Sequence, residues 1–129
     1  MDVTDLILNR FFPGESTQSL WDHCPNKMIW EAIPASDALQ IDYETVSSVI
    51  QDSKSIYILK EPLPAIHSIK EPDFKHIVPS DFSRILPDWN STYRTYPLYV
   101  FDDVFSWMIV LTAESTFSGD ELCVLVQAN

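Results

Sequence analysis

The sequence predicts an α+β fold, one domain over residues 1–129 built on a mainly antiparallel sheet of about five strands with helices packed on it. Three observations predict it. The C-terminal third holds three strand-like runs, "YPLYVF", "FSWMIVLTAE" and "ELCVLVQ", separated by "DD" and "STFSGD", connections short enough for a three-stranded meander. In the middle run both alternating faces are apolar, Trp107, Ile109 and Leu111 on one and Met108 and Val110 on the other, so it belongs at the centre of a sheet covered on both sides. Two segments in the first half carry their apolar residues at helical spacing instead.

The first of these is "VTDLILNRFF", with Val3, Leu6, Ile7 and Phe11 on one stripe, Asp2 or Thr4 to cap its start, and Pro13-Gly14 to end it. "NKMIWEAI" follows as a strand, Met28, Trp30 and Ala32 opposed to Ile29, Glu31 and Ile33, until Pro34 interrupts it. In "IDYETVSSVIQDS" the stripe is Tyr43, Val46, Val49 and Ile50; Asp42 is the expected N-cap, and Glu44 in the first turn complements the helix dipole. "SIYILK" is a short strand. The next stretch, broken by Pro62, Pro64, Pro72 and Pro79, favours edge strands and loops. "SDFSRILP" predicts one or two helical turns capped by Ser80, burying Phe82, Ile85 and Leu86. The two longer helices are expected to cover one face of the sheet, leaving the other for further protein.

An apolar fraction of 46% and an aromatic fraction of 12% are those of a chain that builds a core, whereas an acidic disordered chain is poor in Trp, Phe and Ile. No apolar run reaches the roughly 18 residues that span a bilayer, and "MDVTDLILNRFF" lacks the basic start and small-residue cleavage site of a signal peptide. A cytoplasmic protein is expected. Cys24 and Cys123 then read as two reduced thiols, Cys123 as a small buried hydrophobe in "LCVLV".

Nineteen acidic and eight basic residues give a net charge of −11, and the acids are segregated. From Met28 to Ser53 stand Glu31, Asp37, Asp42, Glu44 and Asp52 without a base; from Thr95 to the end stand Asp102, Asp103, Glu114, Asp120 and Glu121, again without one. Between Lys54 and Arg94, six bases offset five acids. A solvated acidic surface is the simplest account. Against it, Asp102-Asp103 and Asp120-Glu121 end adjacent predicted strands, where binding residues concentrate, and like charges held together destabilise a fold unless a basic surface docks on them. Nucleic acid and anionic membrane are poor partners for that field; a basic protein is a good one. Read as a partner-facing pair, Asp102 and Asp103 should tolerate exchange for Asn with stability unchanged or slightly raised.

Catalytic signals are weak by comparison. Asp22, His23 and Cys24 are neighbours in "WDHC", but a nucleophile and its base must meet in space. His67 and His76 are too few and too far apart for a metal-ligand pattern, and two glycines, Gly14 and Gly119, build no phosphate-cradling loop. No cofactor or metal is expected. Paired carboxylates serve acid–base or cation chemistry elsewhere, but adjacent strand-end acids are common. Trp89 and Tyr93 in "DWNSTYR" are either packed under a loop or anchors at a protein interface, and Arg94 is too little positive charge for base stacking.

The acidic α+β pattern ending "PDWNSTYRTYPLYVFDDVFSWMIVLTAE" and "GDELCVLV", over roughly Ser80 to Val126, resembles the immunity proteins of bacterial contact-dependent inhibition and other polymorphic toxin systems. These share no diagnostic motif, and no catalytic residue carries over. The resemblance implies a cytoplasmic inhibitor that binds a cognate toxin domain, often a basic nuclease; a monomer or weak dimer is expected. The expected interface is Asp102, Asp103, Asp120, Glu121, Glu114, Trp89, Tyr93, Asp42 and Glu44. An acidic adaptor or accessory subunit of another complex is the alternative, and a small hydrolase the third.

Overall fold

The computed structural model describes residues 3–16, 19, 33, 37–60, 74–82, 84, 98–115 and 121–128. In chain order the elements are α1 (Val3–Phe11), β1 (Ala38–Ile41), α2 (Tyr43–Gln51), β2 (Ile56–Lys60), β3 (Phe74–Ile77), β4 (Leu98–Asp102), β5 (Trp107–Ser115) and β6 (Glu121–Gln127). The strands form one six-stranded sheet in the order β1-β6-β5-β4-β2-β3, and every neighbouring pair is antiparallel. It is an open α+β sheet carrying the expected C-terminal meander, with one strand more than the sequence suggested.

The two-sided apolar pattern of the last third explains where its strands sit. All five residues of β4 are buried, as are residues 108–112 of β5, and these two strands occupy the middle of the sheet. Alternation then sorts their side chains. Tyr99, Phe101, Met108 and Val110 join Ile7, Leu8, Phe11 and Phe12 of the α1 segment in one core cluster. Leu98, Val100, Ile109, Leu111 and Cys123 join Val46 and Ile50 of α2, together with Phe82, in the other. The helices therefore cover opposite faces, where the sequence predicted that they share one. The reason is energetic: both faces of β4 and β5 are apolar, and a single layer of helices would leave one of them in water.

Local signals account for the helix ends. α1 stops where Gly14 takes φ +82, a left-handed backbone with no atom within 4 Å of a would-be Cβ, so conformation rather than space favours glycine there. α2 starts at Asp42 as predicted, although Tyr43 of its expected stripe is 41% exposed. The turn leading to Phe82 is already helical at Pro79, with the Asp81 amide donating to the Val78 carbonyl, so Ser80 lies inside it and does not cap it. Proline at a first helical position needs no amide partner. Ile85 and Leu86 lie outside the described residues.

The strand predicted over 26–33 also lies outside them, except for Ile33, which is buried. Among the described residues β1 and β3 are the sheet edges. β3 falls in the proline-broken stretch where edge strands were expected, whereas β1 carries no such signal, being four residues long with Leu39 and Gln40 both exposed. Cys123 carries a buried thiol outside any disulfide; Cys24 is not among the described residues.

Candidate functional site

The acidic pair of "FDDVFS" turns the chain from β4 into β5. The Asp102 carbonyl accepts the Phe105 amide at 3.2 Å, and Phe105 follows in the left-handed region at φ 56. Hairpin loops usually place glycine at such a position. Here Phe105 is 4% exposed, its ring 5.3 Å from that of Phe101 and 5.1 Å from that of Tyr57, so ring burial offsets the backbone strain.

Within this turn the two acids separate. Asp102 is only 7% exposed: its Oδ1 accepts the amides of Ser106 at 2.6 Å and Trp107 at 3.2 Å, and its Oδ2 accepts the Ser106 hydroxyl. Asp103 is exposed, next to Val104 at 62%. Asp102 thus stitches the turn and has little surface to offer a partner. Asp102→Asn is therefore expected to lose some stability where Asp103→Asn loses none, because a carboxylate that accepts three hydrogen bonds near the core supports the fold.

The register places the remaining acids. Ile41 pairs with Cys123 and Ser115 with Glu121, so the end of β1, the end of β5 and the start of β6 share one end of the sheet. Asp42 and Glu44, both exposed, begin α2 at that end, and Glu114 and Glu121 occupy strand positions there. The Asp102-Asp103 turn is at the opposite end, a distance set by the nine residues of β5, about 25–30 Å at 3.3 Å per residue. Consecutive turns of an antiparallel meander alternate ends, so the Asp102-Asp103 turn and the strand position of Glu121 lie at opposite ends of the sheet. Trp89, Tyr93 and Asp120 lie outside the described residues, and Glu114 and Glu121 are placed by backbone alone.

Asp42 is the N-cap of α2. Its Oδ1 accepts the Thr45 hydroxyl at 2.6 Å and the Thr45 amide at 2.8 Å. The hydroxyl bond first, then the amide bond, hold its pKa below the ordinary 3.8, outweighing a small opposing effect of desolvation. A depressed folded-state value means that the stabilisation is present above the unfolded pKa and is lost as pH falls from about 3.8 through the folded value. Acid titration followed by circular dichroism should therefore show Asp42→Asn losing less stability than wild type across that window. Parallel curves would show that the carboxylate adds nothing beyond an uncharged cap.

Sequence reasoning missed the stretch just before Asp42. β1 pairs only with β6 among the described residues, Leu39 is 62% exposed, and Asp37 and Asp42, both exposed, bracket the strand. The signal present was "DALQID", four uncharged residues between two acids. At the other edge, exposed His76 stacks on Tyr57 with ring centroids 4.2 Å apart. Among the described residues no group of three or more His, Cys, Asp or Glu is arranged to hold a metal ion, and no helix is long and apolar enough to cross a membrane. No protein-family model, curated protein or solved structure matches the chain.

Proposed function

We propose that this chain is a non-enzymatic immunity protein that binds a basic toxin domain, most readily a nuclease, and blocks its substrate groove in the cytoplasm of the cell that makes both. One observation carries the reading: acid-only segments some 70 residues apart in sequence meet at one end of the sheet, where exposed Asp42 and Glu44 adjoin the strand ends bearing Glu114 and Glu121. Asp42 and Glu44 expose like charges at the start of α2, and a cationic surface complements them. Against a nuclease they stand where substrate phosphates would, opposite its Lys and Arg, so inhibition is by occlusion. Both apolar faces of the sheet carry a helix, which leaves charge, loops and edges as the recognition elements.

Co-purification with the product of the adjacent gene identifies the partner. Stopped-flow association of that pair should then slow by about tenfold or more from low to high ionic strength, as the Debye length falls from about 30 Å at 0.01 M to below 10 Å. A rate that is flat with salt removes electrostatic steering, and turnover of generic esters or phosphoesters by the purified chain overturns the non-enzymatic reading.

A further inference from the structure

We infer that the partner adds a strand to the open edge of β1, through an extended segment with an apolar side chain between flanking cations. The inference rests on the preceding reading that the partner is a basic protein, and it specifies how that protein is gripped.

In an antiparallel ladder alternate residues turn their N–H and C=O away from the paired strand, so β1, bonded to β6 on one side, offers donors and acceptors on the other. Among the described residues, no backbone hydrogen bond from outside β6 reaches Ala38–Ile41. Natural edges are blunted by short strands, lysine, proline or an inward charge, and β1 and β3 are equally short at four residues. β3, at the far edge, includes Lys75 and is followed closely by Pro79; "ALQI" contains neither lysine, proline nor any charge. Its exposed apolar side chain is Leu39, which stands opposite half-buried Leu125 in the register, so the two share one side of the sheet and offer a seat for an incoming side chain.

Charge chooses the occupant. Asp37 precedes the strand and Asp42 follows it, both exposed, and no base occurs between Met28 and Ser53. A second copy is disfavoured: two β1 strands paired antiparallel about a two-fold axis set Asp37 of each against Asp42 of the other, and like charges opposite one another destabilise a ladder. Pairing of β1 with the β3 edge of another copy is head-to-tail, generates open polymers, and joins molecules of net charge −11. A foreign strand with lysine or arginine at both ends meets complementary charge and the open hydrogen-bonding edge together, the arrangement in which main-chain bonds supply affinity and side-chain seats supply specificity.

The test uses the full chain and a fluorescent synthetic peptide of alternating valine and threonine with two lysines at each end, followed by polarisation at low salt. Two further peptides carry N-methyl groups on one or the other set of alternate amides. One N-methyl isomer should bind like the parent and the other about tenfold more weakly or worse, because only one set faces β1. Leu39→Lys, at an exposed position that leaves the core untouched, should weaken the parent peptide by about tenfold, and Asp37→Asn with Asp42→Asn should weaken it less while keeping the N-cap. Equal binding of both N-methyl isomers, unchanged binding by Leu39→Lys, or no binding of the parent peptide overturns the inference, as does self-association in sedimentation that Leu39→Lys abolishes. If these arms fail while salt-sensitive binding to the adjacent gene product persists, only the edge inference falls; if they succeed and that product does not bind, the proposed function falls and the edge stands.

Discussion

Replacing Asp102 with alanine is expected to destabilise the fold by about 2–4 kcal/mol, although the residue belongs to a turn and its neighbour Asp103 is exposed. The carboxylate accepts the amides of Ser106 and Trp107 and the hydroxyl of Ser106. Hydrogen bonds to a charged acceptor contribute about 1.5–3 kcal/mol each, and water replaces only part of them once the side chain is gone, since the site is 7% exposed. The same bonds hold Trp107 at the start of β5 and so fix where the central strand begins. Asp102→Asn should lose less than half as much, because its amide oxygen still accepts the two N–H groups and its NH2 can donate to the Ser106 hydroxyl. Asp103→Asn should leave the unfolding midpoint unchanged. Urea denaturation of the three variants provides the comparison, and equal stabilities for Asp102→Ala and Asp103→Asn would remove Asp102 from its structural role.

Phe101→Ala is expected to cost about 3–5 kcal/mol. The ring is fully buried on the α1 face, with centroids 5.6 Å from Phe11 and 5.3 Å from Phe105. Its loss opens a cavity on a central strand, removes an aromatic surface against which α1 packs, and takes away a contact that offsets the left-handed backbone of Phe105. Hydrogen exchange should accordingly show α1 amides losing protection before those of α2, whose contacts lie on the opposite face. A loss below about 1 kcal/mol, or uniform loss of protection in both helices, would show that Phe101 does not anchor α1.

Much of this architecture was legible because burial leaves a period in the sequence. Trp107 to Leu111 read as a strand apolar on both faces, and β5 is central; Val46 and Ile50 at helical spacing behind Asp42 read as a capped helix, and α2 buries those two residues behind that cap. Periodicity reports that a side chain is buried and is silent about what buries it. The stripes of α1 and α2 therefore did not reveal that Phe11 packs on Phe101 from one side of the sheet while Ile50 packs from the other.

Legible in the chain alone are local features: which segments alternate with period two or 3.6, where Asp42 caps a helix, and that the acids are segregated from the bases. Tertiary structure alone decided how those pieces meet. Asp102 and Asp103 are identical residues side by side in sequence, and only the path of the turn buries one carboxylate over three donors and leaves the other in water. Antiparallel pairing sent successive turns to opposite ends of the sheet, so Asp103 is far from Glu121 while Asp42, nearly 80 residues earlier in the chain, is close to it. β1 is a strand because β6 lends it a ladder; four residues contain too few alternations to announce a strand, and its place at an edge among the described strands exists only once the sheet is assembled.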